Sequence, residues 1–417
     1  MEIENRVWVT TMRRINEIPT GVIAAAAVVV WSLSALYMWH FGPSWHLDLR
    51  VYRAADRKLF AGSNPFVGLF TANKLPFTYP PFALVVLSPL AFGPLGLVEA
   101  LWWALSSAAL VALLFLLLEA GRDRDSSSVA RPDERRFRLR SLAIAAALGA
   151  VATLALEPVR SNMNYGQINL ILMLLVVSDL TSVNSRWRGV MVGLAAAIKL
   201  TPLVYLGYFL VSRDQKSFLR GGATFLVATA ATWPALPSES ALYWFHEVAN
   251  PSRTGDVAGV SNQSWDGLLN RAPFHGGELA TVLWVILCVA TIASGVLLVR
   301  RRSVEEHPAE LILVLALVEL LISPISWTHH WSWLVLAPIA AVSLWSRHRV
   351  VAWLLVVLVV LAVAAPYWWI THGPLADVVS NSLVIGAAAA LVVWTIVELR
   401  SGTPPNRHPA RAPGIVT

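Results

Sequence analysis

Long apolar runs, each close to the length of one bilayer crossing, succeed one another along this chain and restrict it to helices packed within a membrane. A helix needs about 20 apolar residues to cross a hydrocarbon layer. Runs of that kind fall at roughly 19–41, 95–118, 140–157, 168–185, 218–235, 279–299, 309–322, 331–346, 350–370 and 382–399. The composition agrees: 56% of the 417 residues are hydrophobic and 14% charged, with mean hydropathy +0.61. No polar interval is long enough for a separate soluble domain. The expectation is a single all-α polytopic integral-membrane domain over 1–400, with about 11–12 spanning or near-spanning helices, followed by a disordered cytoplasmic tail over 401–417. The first run follows Arg6, Arg13 and Arg14 and lacks a small-residue cleavage site, so it reads as a retained helix rather than a signal peptide.

Charge sets the expected orientation. Arg6/Arg13/Arg14, Arg122 through Arg140, Arg186/Arg188, Arg213/Lys216/Arg220, Arg300–Arg302, Arg347/Arg349 and Arg400/Arg407/Arg411 mark one face as cytoplasmic by the positive-inside rule. Both termini then lie inside and the alternate loops outside, at a cell membrane. The net charge of +7 sits in short loops rather than one basic stripe, which favours orientation over nucleic-acid binding. The lone Cys288 excludes an intramolecular disulfide framework and reads as a helix-packing residue.

Two segments depart from plain crossings. Residues 189–211 carry basic flanks at both ends and break at Lys199-Leu200-Thr201-Pro202, which predicts a broken hairpin with Lys199 at its tip. Residues 80–93 form a short apolar piece ended by Phe92-Gly93-Pro94, a re-entrant or interfacial helix. Broken backbone at membrane depth is tolerated where it lines a cavity or is buried in protein. Beyond the first run, Leu49, Tyr52, Ala55 and Leu59 recur near helical spacing, predicting an amphipathic helix along the outer interface with Asp48 at its start.

The polar motifs that interrupt the apolar runs all fall on the same predicted outer side. Asp48 is either a functional acid or an ordinary helix-start acid or arginine partner. Arg160 and Lys199, in acid-poor surroundings, suit a phosphate or pyrophosphate, though snorkelling toward headgroups accounts for either alone. Asn164, Gln167 and Asn169 offer hydrogen bonds to sugar hydroxyls, while Gly166 marks a turn into the next helix. His329 and His330, adjacent, point about 100° apart on a helix and are poor joint ligands for one metal. Many of the 19 tryptophans, among them Trp39, Trp45, Trp233, Trp244, Trp265, Trp327, Trp331 and Trp368, fit an outer aromatic belt. Asp123-Arg124-Asp125 matches the D-x-D of metal-binding nucleotide-sugar enzymes, but lies in a basic loop without a nucleotide-binding βαβ pattern and is assigned no role.

Taken in order, Asp48 with Val51-Tyr52, Tyr79-Pro80-Pro81, Gly166-Gln167-Ile168-Asn169, Lys199-Leu200-Thr201-Pro202, Asn262-Gln263-Ser264 and Ser326-Trp327-Thr328-His329-His330 resemble the polyprenol-phosphate-mannose-dependent mannosyltransferases of actinobacteria, the C-type membrane enzymes of glycosyltransferase family 87. The resemblance covers about residues 20–400 and points to the α-1,2 enzymes that elongate phosphatidylinositol mannosides. It implies a C-type glycosyltransferase fold, a polyprenyl-phosphate-mannose donor, a mannosylated phosphatidylinositol acceptor and inversion at the outer face, with neither metal nor other cofactor. In that reading Asp48 is the base, and Arg160, Lys199, His329 and His330 are candidate phosphate ligands. Tyr52, Tyr79, Asn164, Gln167, Asn169, Asn262 and Trp327 lie toward sugar or acceptor. Asp56, Glu157 and Asp266 stay open as alternative acids. Branching of lipomannan or lipoarabinomannan, transfer of another polyprenyl-linked sugar such as arabinofuranose, and lipid or solute transport are the competing functions. A transporter would place ionisable groups near the midplane in repeated halves, whereas here they are expected at span ends.

Overall fold

Apolar runs become helices throughout, because only intrachain hydrogen bonding satisfies the backbone in lipid. The computed structural model describes residues 18–401 apart from 42–45, 123–133, 183–184, 251–252, 254, 272–273, 305, 371 and 374. Arg6, Arg13 and Arg14, the Asp123-Arg124-Asp125 tripeptide, Trp45, the side chain of Trp39, and the tail expected to be disordered lie outside the described residues. Among the described residues, β structure is confined to two isolated bridges, Phe70 with Leu75 and Asn262 with Trp327.

Among the described residues, six helices are long and apolar enough to cross a membrane: Thr20–Tyr37, Leu95–Gly121, Glu134–Ala155, Glu278–Arg301, Arg349–Trp368 and Ser382–Arg400. Glu157–Tyr165 and Asn169–Thr181 make a seventh if taken together, with a 116° bend between them. The chain is therefore a multi-pass membrane protein. The other expected crossings resolve into shorter or segmented helices. The run near 309–322 is a helix over Pro308–Ile322 in which every residue from Pro308 to Leu321 is buried. It packs against Glu278–Arg301, Leu203–Val211, Ala337–Leu344 and Ser382–Arg400, so its apolar surface meets protein rather than lipid. The run near 331–346 splits into a 3₁₀ helix over Thr328–Leu336 and an α-helix over Ala337–Leu344. Its Trp331, expected in an aromatic belt, is instead fully buried and donates Nε1–H to the Gln263 carbonyl at 3.1 Å.

The two exceptional segments are short helices, the first broken where expected. Val190–Ile198 and Leu203–Val211 are separate nine-residue helices, about 13–14 Å each, broken at an extended Lys199. Asp179 holds the start of the first by accepting from the N–H groups of Gly189 at 2.6 Å and Val192 at 2.8 Å. Residues 80–93 form a helix over Pro81–Leu87 continued by a 3₁₀ turn over Ser88–Ala91.

The amphipathic helix is Leu47–Phe60. It buries Leu49, Val51, Tyr52, Arg53, Ala55 and Asp56 and ends in Arg57 and Lys58, which complement its dipole. Arg53 and Arg57 donate to the carbonyls of Leu90, Gly93 and Ala91, fixing this helix to the short apolar piece.

Candidate active site

Asp48 owes its position to one turn. His46 adopts the left-handed conformation (φ 51) and donates its N–H to the Asn164 carbonyl at 2.6 Å, tying the start of Leu47–Phe60 to the end of Glu157–Tyr165. There Gly166, also left-handed (φ 68), caps the helix and redirects the chain into Asn169–Thr181. A Cβ at Gly166 would lie 2.8 Å from the Leu49 Cβ and 3.0 Å from the His46 ring, so the close approach and the backbone both require glycine.

Gln167 then reaches back across this contact. Its Nε2 donates to Asp48 Oδ2 at 2.6 Å, and its Oε1 accepts from the Tyr79 hydroxyl at 2.8 Å and the Tyr52 hydroxyl at 3.3 Å. The two tyrosine hydroxyls are 2.8 Å apart. Asp48 is half-buried. Burial pushes its carboxyl up to about 6, opposed by the Gln167 hydrogen bond and by the charge of Lys199.

Lys199 sits over the Tyr79 ring, its Nζ 5.2 Å from the centroid. It is buried, and donates to Asn169 Oδ1 at 2.7 Å and lies 3.2 Å from His330 Nε2. A protonated lysine has only donors, so His330 accepts in that contact. Asn169 also donates to the His329 carbonyl at 3.3 Å. His329 and His330 fall on the 3₁₀ helix with rings at 82° to one another, and His329 packs its ring on Tyr165 at 5.5 Å. His330 thus meets the lysine while His329 supports it.

Segments far apart in sequence therefore bring together Asp48, Tyr52, Tyr79, Gln167, Asn169, Lys199 and His330. Other named residues stand elsewhere. Arg160 donates to the Leu154 carbonyl at 2.9 Å, and its charge acts on Glu157. Asn164 enters the cluster through its backbone carbonyl. Asn262, fully buried, donates to the Val257 and Pro324 carbonyls, both at 3.0 Å, and accepts from the Ser326 N–H at 2.8 Å, clamping two loops together. Trp327 bridges to Asn262 and lies against Gly255.

The alternative acids are differently engaged. Glu157 accepts from Thr328 Oγ1 at 3.2 Å, the Tyr367 hydroxyl at 2.7 Å and Trp368 Nε1 at 3.1 Å. Asp266 accepts from Asn270 on its own helix at 2.8 Å. Asp56 is fully buried with neither oxygen hydrogen-bonded, and burial pushes it up to about 8. Sequence reasoning passed over one acid, Glu319, which is buried in the last turn of Pro308–Ile322. A carboxylate in an otherwise apolar Leu-Val-Glu-Leu-Leu stretch was the available signal. Among the described residues, no three His, Cys, Asp or Glu side chains converge as a metal-holding group.

A sequence comparison decides the family: the glycosyltransferase family 87 model matches residues 77–324. The chain belongs to glycosyltransferase family 87. It is an enzyme of the membrane glycosyltransferase class. It is 33% identical, over 85% of its length and 76% of the relative's, to a polyprenol-phosphate-mannose-dependent alpha-(1-2)-phosphatidylinositol mannoside mannosyltransferase of Mycolicibacterium smegmatis. The protein of the same name in Mycobacterium tuberculosis is 34% identical over 79% of this chain and 76% of that one. A polyprenol-phosphate-mannose-dependent alpha-(1-2)-phosphatidylinositol pentamannoside mannosyltransferase of M. tuberculosis is 30% identical over 78% and 73%.

Proposed function

We propose that this enzyme transfers mannose from polyprenyl-phosphate mannose to a mannosylated phosphatidylinositol at the outer membrane face, forming an α-1,2 linkage with inversion. Donor and acceptor classes rest on the relatives, which are named for both. The observation that carries the chemistry is a half-buried carboxylate and a buried ammonium that both converge on Tyr79, Asp48 through its hydrogen bond from Gln167, and Lys199, held by Asn169, against the ring.

In this scheme the acceptor 2-hydroxyl attacks the anomeric carbon from the face opposite the phosphate. The new C–O bond forms as the bond from the anomeric carbon to the phosphate oxygen breaks. Asp48 takes the hydroxyl proton, and polyprenyl phosphate leaves with the electron pair. Phosphate is already a competent leaving group, so no protonating acid is needed, and the charge growing on it is what Lys199, with His330 beside it, would stabilise. Gln167, Tyr52 and Tyr79 hold the base in place. The scheme calls for no metal or other cofactor.

The test is transfer by purified protein from polyprenyl-phosphate mannose to phosphatidylinositol mannosides of different lengths, with a chelator present. Product is expected with that donor, and GDP-mannose alone is expected to give none. Transfer from GDP-mannose without polyprenyl phosphate, or dependence on a metal, would overturn the scheme. Asp48→Asn is expected to lower turnover by about 10²–10⁴-fold with donor binding kept. Lys199→Ala should instead raise the donor KM.

A further inference from the structure

Lys199 is an ammonium with almost no water around it, and such a charge is costly unless something opposite balances it. Its immediate partners, Asn169 Oδ1, His330 Nε2 and the Tyr79 ring, are neutral acceptors. Two carboxylates act on its charge, Glu319 and Asp48. They differ in what the proposed reaction asks of them. Asp48 takes up a proton at the moment the leaving phosphate most needs the lysine, so its charge vanishes there. Glu319 has no part in the bond-making.

Glu319 also meets the hydroxyl side chains of Thr201 and Tyr205, which with Lys199 favour its carboxylate. It lies on Pro308–Ile322, whose other acid, Glu310, is met by Arg302 and Arg347. Glu319 has no arginine partner among the described residues, and the cation acting on it is Lys199. With Asn169 and His330, the two polar contacts of the lysine, it lines a small cavity that Thr201 joins from the break and Tyr205 from the second half-helix. The cavity, walled on its other sides by Leu172, Met173, Val176 and Trp333, measures about 20 Å³, room for about one water.

We propose that Glu319 is a positioning residue, the buried counter-charge that keeps Lys199 protonated and directed at the donor phosphate throughout turnover. The proposal rests on Lys199 being a phosphate ligand. Removing the carboxylate should make the lysine easier to deprotonate, so activity should fail at lower pH on the alkaline side.

The experiment is the pH profile of kcat/KM for polyprenyl-phosphate mannose in wild type, Glu319→Gln, Lys199→Ala and the double variant Lys199→Arg/Glu319→Gln. The other titratable groups facing Lys199 are Asp48 on the amphipathic helix, His329 and His330 on the 3₁₀ helix, Tyr79 before the short apolar piece and Tyr205 on the second half-helix; all are retained. In Glu319→Gln the alkaline limb is expected to fall by about one pH unit or more, tenfold in the lysine equilibrium. In the double variant that limb should disappear, since arginine does not deprotonate. An unmoved limb in Glu319→Gln, with only lowered thermal stability, would overturn the proposal. Should that variant not fold, Glu319→Asp replaces it, with a smaller shift in the same direction expected and no shift counting against. Lys199→Ala separates the two readings: an unchanged donor KM there would remove the phosphate assignment itself, whereas a raised KM beside an unmoved limb would sink only the role of Glu319.

Discussion

At Asp48 two demands that usually oppose one another are met together. A base must be ionised near neutral pH yet retain affinity for a proton, and burial alone would overshoot. Asp56, on the same helix, illustrates the excess: it is fully buried, unpartnered and pushed up to about 8, hence mostly neutral at pH 7. Asp48 is held to about 6 by the Gln167 hydrogen bond and the Lys199 charge, both of which favour the carboxylate. Since the proposed reaction needs the ionised form, kcat/KM is expected to fall as pH drops through about 6. Gln167→Leu removes the hydrogen bond, raises the pKa and should move that acid limb upward. An unmoved limb in a folded Gln167→Leu enzyme would show that another group governs it. Glu157, with three donors on its two oxygens, is committed to holding Thr328 and the Tyr367–Trp368 turn. That engagement makes it a poor candidate for accepting a proton.

Elements matter here chiefly where they break. The amphipathic helix and the break at Lys199 were legible because apolar spacing and a Lys-Leu-Thr-Pro interruption are local signals. Glu157–Tyr165 was not, since Glu157, Arg160, Asn162 and Asn164 within nine residues read as a loop. It is helical because Pro158 starts it, Gly166 caps it and the 3₁₀ helix packs along it. Gly166→Ala tests that junction. The left-handed backbone alone costs about 1–2 kcal/mol with a side chain present, and the Cβ would also press on Leu49. The expected result is a lower melting temperature together with a larger loss of turnover than the stability change explains, because Gln167 and Asp48 move apart. Wild-type turnover in Gly166→Ala would count against this turn as the device that sets the base.

On the scale of the whole molecule, the end away from the site is locked by charge. Arg302, buried, pairs with Glu310 and with Glu398, to which its Nε donates at 2.7 Å. Arg347 adds a contact to Glu310 at 2.6 Å and His348 one to Glu398 at 3.0 Å. Removing one partner of such a group leaves buried carboxylates under-compensated, so Arg302→Met is expected to cost about 3–5 kcal/mol. A fall in melting temperature with an unchanged donor KM is the readout. Sidedness is tested in a Cys288→Ala background, with single cysteines at the exposed positions Ser63 and Ser182. A membrane-impermeant thiol reagent added to intact cells should label the first and spare the second. Labelling of position 182 from outside would reverse the proposed orientation.

The sequence by itself determined the class of this molecule. Apolar runs in lipid have to be helical, basic loops imply an orientation, and polar motifs between those runs marked most of the chain positions that meet in the cluster. All of these are local properties, readable one segment at a time. Tertiary structure decided which polar residues meet. Gln167 finds Asp48 from 119 residues away and Lys199 finds His330 from 131 away, while Arg160 turns to Leu154 and Asn262 to a loop clamp. It also decided that Pro308–Ile322 is sheathed in protein and that Glu319 shares a cavity with Asn169 and His330, the polar contacts of Lys199. The physical reason is that a buried polar group must find a partner, and the partner is fixed by how helices pack rather than by the spacing along any one of them.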